Sequence, residues 1–317
     1  MTYPLKPIKN LIGNILRKTA RMNYYTAKSY YHFLLSRQIQ GAVHSPLLIY
    51  QMGKVGSKTV DKSLRALDTG MPIFHIHFLT EDLMDFYEEK RRKFFRTQQE
   101  PELSRIWMYR YLSKVVGRGL DHRRWKVITL IRDPIARNIS SFFETLRVEC
   151  ERPDGLYQIS ADIRSPYSFD ITVHIEDFSE LIQLFLEKFN HETPLIFFDE
   201  QIKSVLGIDV FASEFPKKKG YMIYNEKQVD LLLIRLENLT DCAEEAFEEF
   251  LNIKSFVLKK TNVGNEKIYA PLYKQFKSSI ILPDTYLNDM YSSKFMQHFY
   301  TNEEIQEFKA QWKRAVH

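Results

Sequence analysis

Residues 47–59 read Leu-Leu-Ile-Tyr-Gln-Met-Gly-Lys-Val-Gly-Ser-Lys-Thr, an apolar run followed by a basic loop that contains two glycines. The run predicts a buried strand, and the residues after the loop predict a helix. A helix that starts directly after such a turn presents its unpaired N–H groups and the positive end of its dipole to a bound anion. The stretch therefore predicts an α/β fold with a loop that binds a phosphorylated ligand.

The spacing within this loop separates two kinds of phosphate site. A Walker A loop, Gly-x-x-x-x-Gly-Lys-[Ser/Thr], would end at Lys58-Thr59, but Met52 and Ser57 stand where that pattern needs glycine. The pattern Lys-x-Gly-[Ser/Thr]-x-[Ser/Thr] is complete, and it resembles the 5′-phosphosulfate loop of sulfotransferases that use PAPS (3′-phosphoadenosine 5′-phosphosulfate). The alternative is an ordinary turn with solvated lysines. The resemblance implies that the donor is bound by Lys54, which is also catalytic, and by Val55, Gly56, Ser57, Lys58 and Thr59.

A second strand and helix follow further along the chain. Residues 125–131 predict a buried strand, and Asp133 and Pro134 suit the first turn of the helix that comes next. Arg132 at the strand end and Ser140 eight residues later resemble the 3′-phosphate site of the same enzymes. The motif Ile-Arg-Asp-Pro-Ile-x-Arg is similar to the corresponding sequence of polysaccharide O-sulfotransferases. The resemblance implies that Arg132 and Ser140 bind the 3′-phosphate. A surface ion pair of Arg132 with Asp133 and a solvated Ser140 are the alternative.

Two histidines lie between these motifs. Residues 73–79 predict a strand that places His75 and His77 on one face, because side chains two apart point the same way. Transfer to a hydroxyl needs a base, and histidine suits that role near neutral pH. The His-x-His wording resembles the base-carrying strand of polysaccharide 2-O-sulfotransferases, which implies His77 as the base and His75 as the alternate. The alternative for each of these residues is a structural histidine in the buried core. We expect no metal site because the sequence offers no third ligand nearby.

Composition narrows the class of protein. The chain has 317 residues, 44% of them hydrophobic, and a net charge of +5, which favours anionic ligands but is too small and dispersed to indicate nucleic acid. Two cysteines, Cys150 and Cys242, fit a reducing compartment. No stretch has the length of a membrane span and no signal peptide is evident. We expect a bacterial, cytoplasmic protein, whereas eukaryotic polysaccharide sulfotransferases are typically anchored in the Golgi.

Residues 1–42 form a basic amphipathic arm without acidic residues, and residues 43–317 predict a single domain. Such an arm can pack on its own domain or make a peripheral contact with an anionic membrane or a partner. Near the other end, Lys259 and Lys260 precede Asn262 and Gly264. This segment loosely resembles the late sulfotransferase loop that closes over the nucleotide, which implies Lys260 as a further donor-binding residue. A solvated connection is the alternative.

Strands and helices alternate along the chain as β-α-β-α-α-β-α, which predicts a central parallel sheet flanked by helices. We expect helices over 58–68, 81–96, 101–116, 175–189, 193–206 and 239–251, strands over 221–224 and 229–236, and further helices from 271 to the end. Residues 151–167 predict a mobile substrate loop. The resemblance implies a sulfotransferase-like fold, which is related to the P-loop NTPases.

The leading hypothesis is a PAPS-dependent sulfotransferase that moves the sulfuryl group to a hydroxyl of a saccharide or glycoconjugate and leaves PAP (3′-phosphoadenosine 5′-phosphate), without a metal. One alternative is a P-loop kinase or NTPase with Lys58-Thr59 at the phosphates and Asp133 on Mg²⁺. Another is a non-catalytic binding protein with the same fold. The chain also resembles bacterial proteins assigned to capsular polysaccharide synthesis, through residues 52–57, 236–239 and 298–300, which names a pathway and not a reaction.

Overall fold

The computed structural model describes residues 23–118, 123–151, 157–161, 174–175, 178–226, 228–259 and 269–313. The predicted binding residue Lys260 and residues 1–22 of the N-terminal arm lie outside these ranges. Most of the residues that carry the predicted site lie inside them.

In chain order the described strands are Leu47–Tyr50 (β1), Ile73–Ile76 (β2), Trp125–Ile131 (β3), Leu146–Glu151 (β4), Tyr157–Ala161 (β5), His174–Ile175 (β6), Tyr221–Asn225 (β7) and Val229–Arg235 (β8). A five-stranded sheet with the order β2-β1-β3-β8-β7 forms the centre of the fold. Strands β1, β2, β3 and β8 run parallel, and β7 pairs antiparallel with β8. Strands β4, β5 and β6 form a separate antiparallel sheet. The prediction of an α/β fold with a largely parallel sheet is therefore confirmed.

Helices surround this sheet and form the C-terminal part of the described chain. A π-helical segment, Phe198–Lys203, joins the short helices Thr193–Phe197 and Ser204–Leu206. Short 3₁₀ turns occur at Arg92–Phe94 and Leu236–Asn238. The α-helices are Tyr24–Gln40 (α1), Ser57–Arg65 (α2), Glu81–Arg91 (α3), Glu100–Gly117 (α4), Pro134–Thr145 (α5), Phe178–Lys188 (α6), Thr193–Phe197 (α7), Ser204–Leu206 (α8), Leu239–Leu251 (α9), Ala270–Ser279 (α10), Asp284–Tyr291 (α11), Lys294–Phe299 (α12) and Asn302–Lys313 (α13).

The central strands are buried because their sequences are continuous apolar runs. Every residue of β1 and of β8 is buried, which is the pattern of a parallel sheet covered on both faces. Since β1, β2, β3 and β8 are parallel, the loops after them meet at one edge of the sheet. This edge is where ligands bind in open α/β sheets.

Several boundaries differ from the sequence prediction. Strand β2 ends at Ile76 and not at residue 79, and the helix predicted over 81–96 ends at Arg91. The segment 151–167 was predicted as a loop, but residues 157–161 form strand β5. Pro153, Gly155 and Pro166 favour a loop in the sequence prediction, and the strand between them is only five residues long.

The described part of the N-terminal arm packs on the domain. Leu35 and Ile39 of α1 belong to the main hydrophobic core, and Ala27 packs in a smaller cluster with Leu103 and Trp107 of α4. The amine of Lys28 pairs with Glu88 at 2.5 Å. Helix α1 is therefore an integral layer of the fold. Within the described ranges, no helix combines the length and the apolar character needed to cross a membrane.

Candidate functional site

The loop between β1 and α2 has the backbone that its two glycines predict. Gly56 adopts a left-handed conformation, with φ of 86°, and caps the start of α2. Lys54 also has a positive φ, 73°, which is uncommon for a residue with a side chain and occurs often at binding sites. The first N–H groups of a helix have no partner within it. The turn therefore places a lysine and the first N–H groups of α2 beside the sheet edge, where the N–H of Thr59 donates to the carbonyl oxygen of Gly56 at 3.0 Å.

A cleft of about 660 Å³ opens at this edge. All of the predicted site residues that the structure describes contribute to its lining, apart from Val55, which is fully buried in the core. The loops after three separate strands thus meet in one cleft. The predicted residues in its lining are Lys54, Gly56, Ser57, Lys58, Thr59, His75, His77, Arg132 and Ser140, and the others are Gly53, Arg105, Ser141, Glu144, Leu236, Tyr269 and Tyr273.

Lys54 lies beside a carboxylate. Its Nζ is 2.8 Å from Oε1 of Glu144, and the hydroxyl of Tyr269 donates to the same oxygen at 2.7 Å. The lysine is half-buried, so its charge is only partly screened by water. An anionic ligand in the cleft would meet this amine together with the exposed Lys58.

Arg132 extends from the end of β3 into the same cleft. Its Nη1 donates to the carbonyl oxygen of Lys54 at 3.3 Å, so the arginine is tied to the loop. Ser140 lines the cleft two turns along α5. The structure therefore brings the two predicted phosphate motifs into one cavity.

Asp133, by contrast, points into the protein. It is only 3% exposed, and its carboxylate accepts from the N–H groups of Ile135 and Ala136 and from the Tyr291 hydroxyl. Burial raises the pKa of this carboxyl to about 6. Asp133 is thus a helix cap in the interior and does not line the cleft.

The imidazole of His77 is held in one tautomer. Its Nδ1 is 3.0 Å from the carbonyl oxygen of Gln51. A carbonyl oxygen can only accept, so Nδ1 carries the proton and Nε2 keeps its lone pair in the neutral ring. Burial lowers the pKa of His77 below its ordinary value, so the ring is neutral at pH 7. His77 therefore offers a basic Nε2.

His75 uses its Nε2 inside the loop. This nitrogen lies 3.1 Å from the amide nitrogen of Gln51 and 3.1 Å from the hydroxyl of Ser57. Since the amide nitrogen donates, Nε2 of His75 is the acceptor. Burial and the neighbouring His77 lower the pKa of His75 to about 3. His75 and Ser57 therefore hold the start of α2 against β2.

A second cavity, of about 330 Å³, adjoins the first. The two share Gly53, His77, Arg105 and Ser141 in their linings, so His77 lies where they meet. Arg105 comes from the middle of α4, and no motif in the sequence marked it. Among the described residues, no group of three or more His, Cys, Asp or Glu is arranged to hold a metal ion.

The turn after β8 packs against the loop between β1 and α2. A Cβ at Gly56 would lie 2.5 Å from Cδ1 of Leu236, so the two segments are in close contact. Glu237 accepts from the backbone N–H of Asp133 at 2.7 Å and from the Tyr300 hydroxyl at 3.1 Å. Leu236 therefore packs against the loop between β1 and α2, and Glu237, which accepts from Tyr300, holds the start of α5.

Comparison with known proteins gives one match. Residues 166–301, less than half of the chain, match the model of the NKWYS family, described as "Putative capsular polysaccharide synthesis protein". No curated protein and no solved structure matches the chain. The match supports the resemblance to capsular polysaccharide synthesis proteins, and none of the comparisons supports the resemblance to sulfotransferases.

Proposed function

We propose that the protein is a PAPS-dependent sulfotransferase whose acceptor is a hydroxyl of a saccharide or glycoconjugate. The observation that carries this proposal is the position of His77, which lies with a basic Nε2 where a cleft lined by two phosphate-type motifs meets a second cavity. A donor and an acceptor in the two cavities would meet at this histidine.

The donor occupies the larger cleft. The N–H groups from Gly56 to Thr59 and the Lys54 amine bind the 5′-phosphosulfate, and Arg132 with Ser140 binds the 3′-phosphate. Arginine suits a phosphate because its planar fork donates two hydrogen bonds and keeps its charge. Binding of the donor requires Lys54 to face an anion, so its contact with Glu144 is exchanged for one with the ligand.

The groups of the site account for the bonds, the proton and the electron pair of the transfer. The acceptor oxygen forms a bond to sulfur while the bond from sulfur to the bridging oxygen of the 5′-phosphate breaks. The acceptor proton passes to Nε2 of His77, and the electron pair of the broken bond remains on PAP, where Lys54 and the loop N–H groups stabilise it. Fixed donors of this kind contribute about 3 to 4 kcal/mol each to lowering a barrier.

A saccharide acceptor is favoured by the match of residues 166–301 to a family named for capsular polysaccharide synthesis. The second cavity also suits a polar small molecule such as a sugar, because its walls combine aromatic rings with many hydrogen-bonding and charged groups. These two observations concern the acceptor only and are independent of the nucleotide.

The kinase or NTPase alternative is less well supported. It needs Asp133 at the metal, but that carboxylate is buried and already accepts three hydrogen bonds. The non-catalytic alternative predicts nucleotide binding without turnover, so an activity measurement with the labelled sulfuryl donor separates it from an enzyme.

Calorimetry with PAP, AMP, ATP and Mg-ATP tests the nucleotide class. We expect PAP to bind at least ten times more tightly than AMP, and Arg132→Ala to weaken PAP by about 2 kcal/mol, since a charge-assisted contact is lost. Ser140→Ala should also weaken PAP, whereas Ser292→Ala, at an exposed serine outside the linings of both cavities, is the control and should not. Equal affinity for AMP and PAP would exclude the proposal, and a preference for Mg-ATP would favour the kinase.

A further inference from the structure

The second cavity contains an arginine with no acidic partner. Arg137 is only 6% exposed, and its hydrogen bonds go to the carbonyl oxygen of Gly53, at 3.1 Å, and to Oδ1 of Asn138, at 2.9 Å. Both acceptors are neutral, and no carboxylate pairs with the guanidinium among the described residues. Arginine remains charged here, although burial lowers its pKa to about 10.

A buried charge without a counter-ion is costly, by several kcal/mol even after relaxation of the protein. Two neutral acceptors compensate only part of that cost. A structure that keeps such a guanidinium at the wall of a cavity is arranged for an anion that arrives with a ligand, because ligand binding then supplies the missing charge.

Two more arginines, Arg91 and Arg105, line the cavity, and each lies 3.6 Å from the carboxylate of Glu102, which is outside the lining. Glu200 is the single acidic side chain in the described part of the lining. The guanidinium of Arg91 lies 4.7 Å from the centre of the Tyr87 ring, which holds it against the aromatic wall. Arg137 is therefore the one arginine of this lining that has no carboxylate partner among the described residues.

The remaining wall combines ring faces with hydrogen-bonding groups. Aromatic rings suit the C–H faces of a sugar, and hydroxyl and amide groups suit its hydroxyls. The aromatic members are Phe78, Tyr87, Tyr109, Phe189 and Phe197, and the polar members are Ser141, Thr145, Asn190, Thr193 and Gln201.

We infer that the second cavity binds a sugar that carries an anionic substituent, a carboxylate or a phosphate, and that Arg137 is the residue that binds this substituent. The inference deepens the proposed function, since a sugar bound there has its hydroxyls next to His77. Only the transfer of a sulfuryl group to this sugar rests on the proposed function. The anion site itself is defined by residues of the second cavity and does not depend on a bound nucleotide.

Saturation-transfer NMR on the full chain without nucleotide tests the inference with four probes: glucuronate, its methyl ester, glucose 6-phosphate and glucose. We expect at least one anionic probe to bind about ten times more tightly than its neutral counterpart. Equal binding of each anionic probe and its neutral counterpart, or no binding of either anionic probe, would overturn the inference. A preference for glucuronate alone or for glucose 6-phosphate alone identifies the substituent as carboxylate or phosphate.

Variants locate the anion. Arg137→Gln should abolish the preference and leave the binding of glucose unchanged, and Arg137→Lys, which keeps the charge, should restore part of it. A preference that persists in Arg137→Gln would overturn the assignment of this residue. Urea unfolding followed by circular dichroism serves as the check of folding in both variants, and the wild-type comparison holds even if a variant fails to fold.

The two proposals fail separately. A preference for anionic sugars without a preference for PAP over AMP would reject sulfuryl transfer and leave the anion site in place. A preference for PAP without a preference for anionic sugars would reject the anion site and leave the sulfotransferase proposal in place.

Discussion

Alanine at Gly56 is expected to destabilise the protein far more than alanine at Gly53, although both glycines belong to the same loop. Gly56 has φ of 86°, a conformation that costs a residue with a Cβ about 1–2 kcal/mol. Its added Cβ would also lie 2.5 Å from Cδ1 of Leu236, an overlap of the kind that costs about 1–3 kcal/mol in a packed region. The expected loss is therefore about 2–5 kcal/mol.

Gly53 is the matched control. A Cβ there meets nothing within 4 Å, and its backbone is not in the left-handed region, so Gly53→Ala should change the free energy of unfolding by less than about 1 kcal/mol. Urea denaturation followed by circular dichroism measures both changes.

A second substitution separates the two causes. In a Leu236→Ala background the contact is relieved while the backbone strain remains, so Gly56→Ala should then cost only about 1–2 kcal/mol. The reasoning is refuted if Gly53→Ala and Gly56→Ala are equally destabilising. It also fails in part if the cost of Gly56→Ala does not fall when Leu236 is absent, because the contact would then contribute nothing.

Three further predictions concern the charged and basic groups of the cleft. Lys54→Ala should lower the turnover number much more than PAP affinity, whereas a kinase would be damaged more by Lys58→Ala. His77→Ala should reduce transfer about 10²- to 10⁴-fold while PAP affinity stays nearly intact, and this effect should exceed that of His75→Ala. Because burial lowers the pKa of His77, the acid limb of the wild-type pH–rate profile should lie below about pH 6.5. When the pH falls from 7 to 5, the free energy of unfolding measured in urea should fall by about 2 kcal/mol more in wild type than in His75→Gln. The reason is that the pKa of His75 is about 3 in the folded protein, so the unfolded chain takes up the proton first. Equal losses in the two proteins would contradict this.

The parts of the site that were predictable are those with a local signal. An apolar run before Gly53 predicts strand β1, and a charged residue after a second run predicts Arg132 at a strand end. Parallel strands then bring both ends to one edge, so the cleft follows from the fold class. Residue spacing within one segment was sufficient for these inferences.

The parts that were missed depend on contacts between distant segments. No local signal marks Arg137 as a buried residue, and in the structure its Nε donates to the carbonyl oxygen of Gly53, 84 residues earlier. Gln51, which positions both histidines through its carbonyl and amide groups, carries no motif. Arg105 lies mid-helix and becomes part of the site only through the packing of α4. Periodicity within one element contains no information about such pairings.

His77 occupies a position that the sequence predicts only in part. The sequence argument placed it on a strand facing the same way as His75, but β2 ends at Ile76 and the ring lies just beyond it. The base role that we propose for His77 depends on the Gln51 carbonyl, which fixes the proton on Nδ1. A strand position alone would have left the tautomer, and hence the basic nitrogen, undefined.

The family match and the candidate chemistry come from different parts of the chain. Residues 166–301 supply Leu236 against the loop and Glu237 against the start of α5, whereas the lysine, the histidines and Arg132 all precede that segment. The matched segment therefore braces the cleft and supplies Tyr269 and Tyr273 to its wall, but it contains none of the groups proposed to react. A pathway name attached to this segment is compatible with more than one reaction, so the reaction must be tested at Lys54, His77 and Arg132.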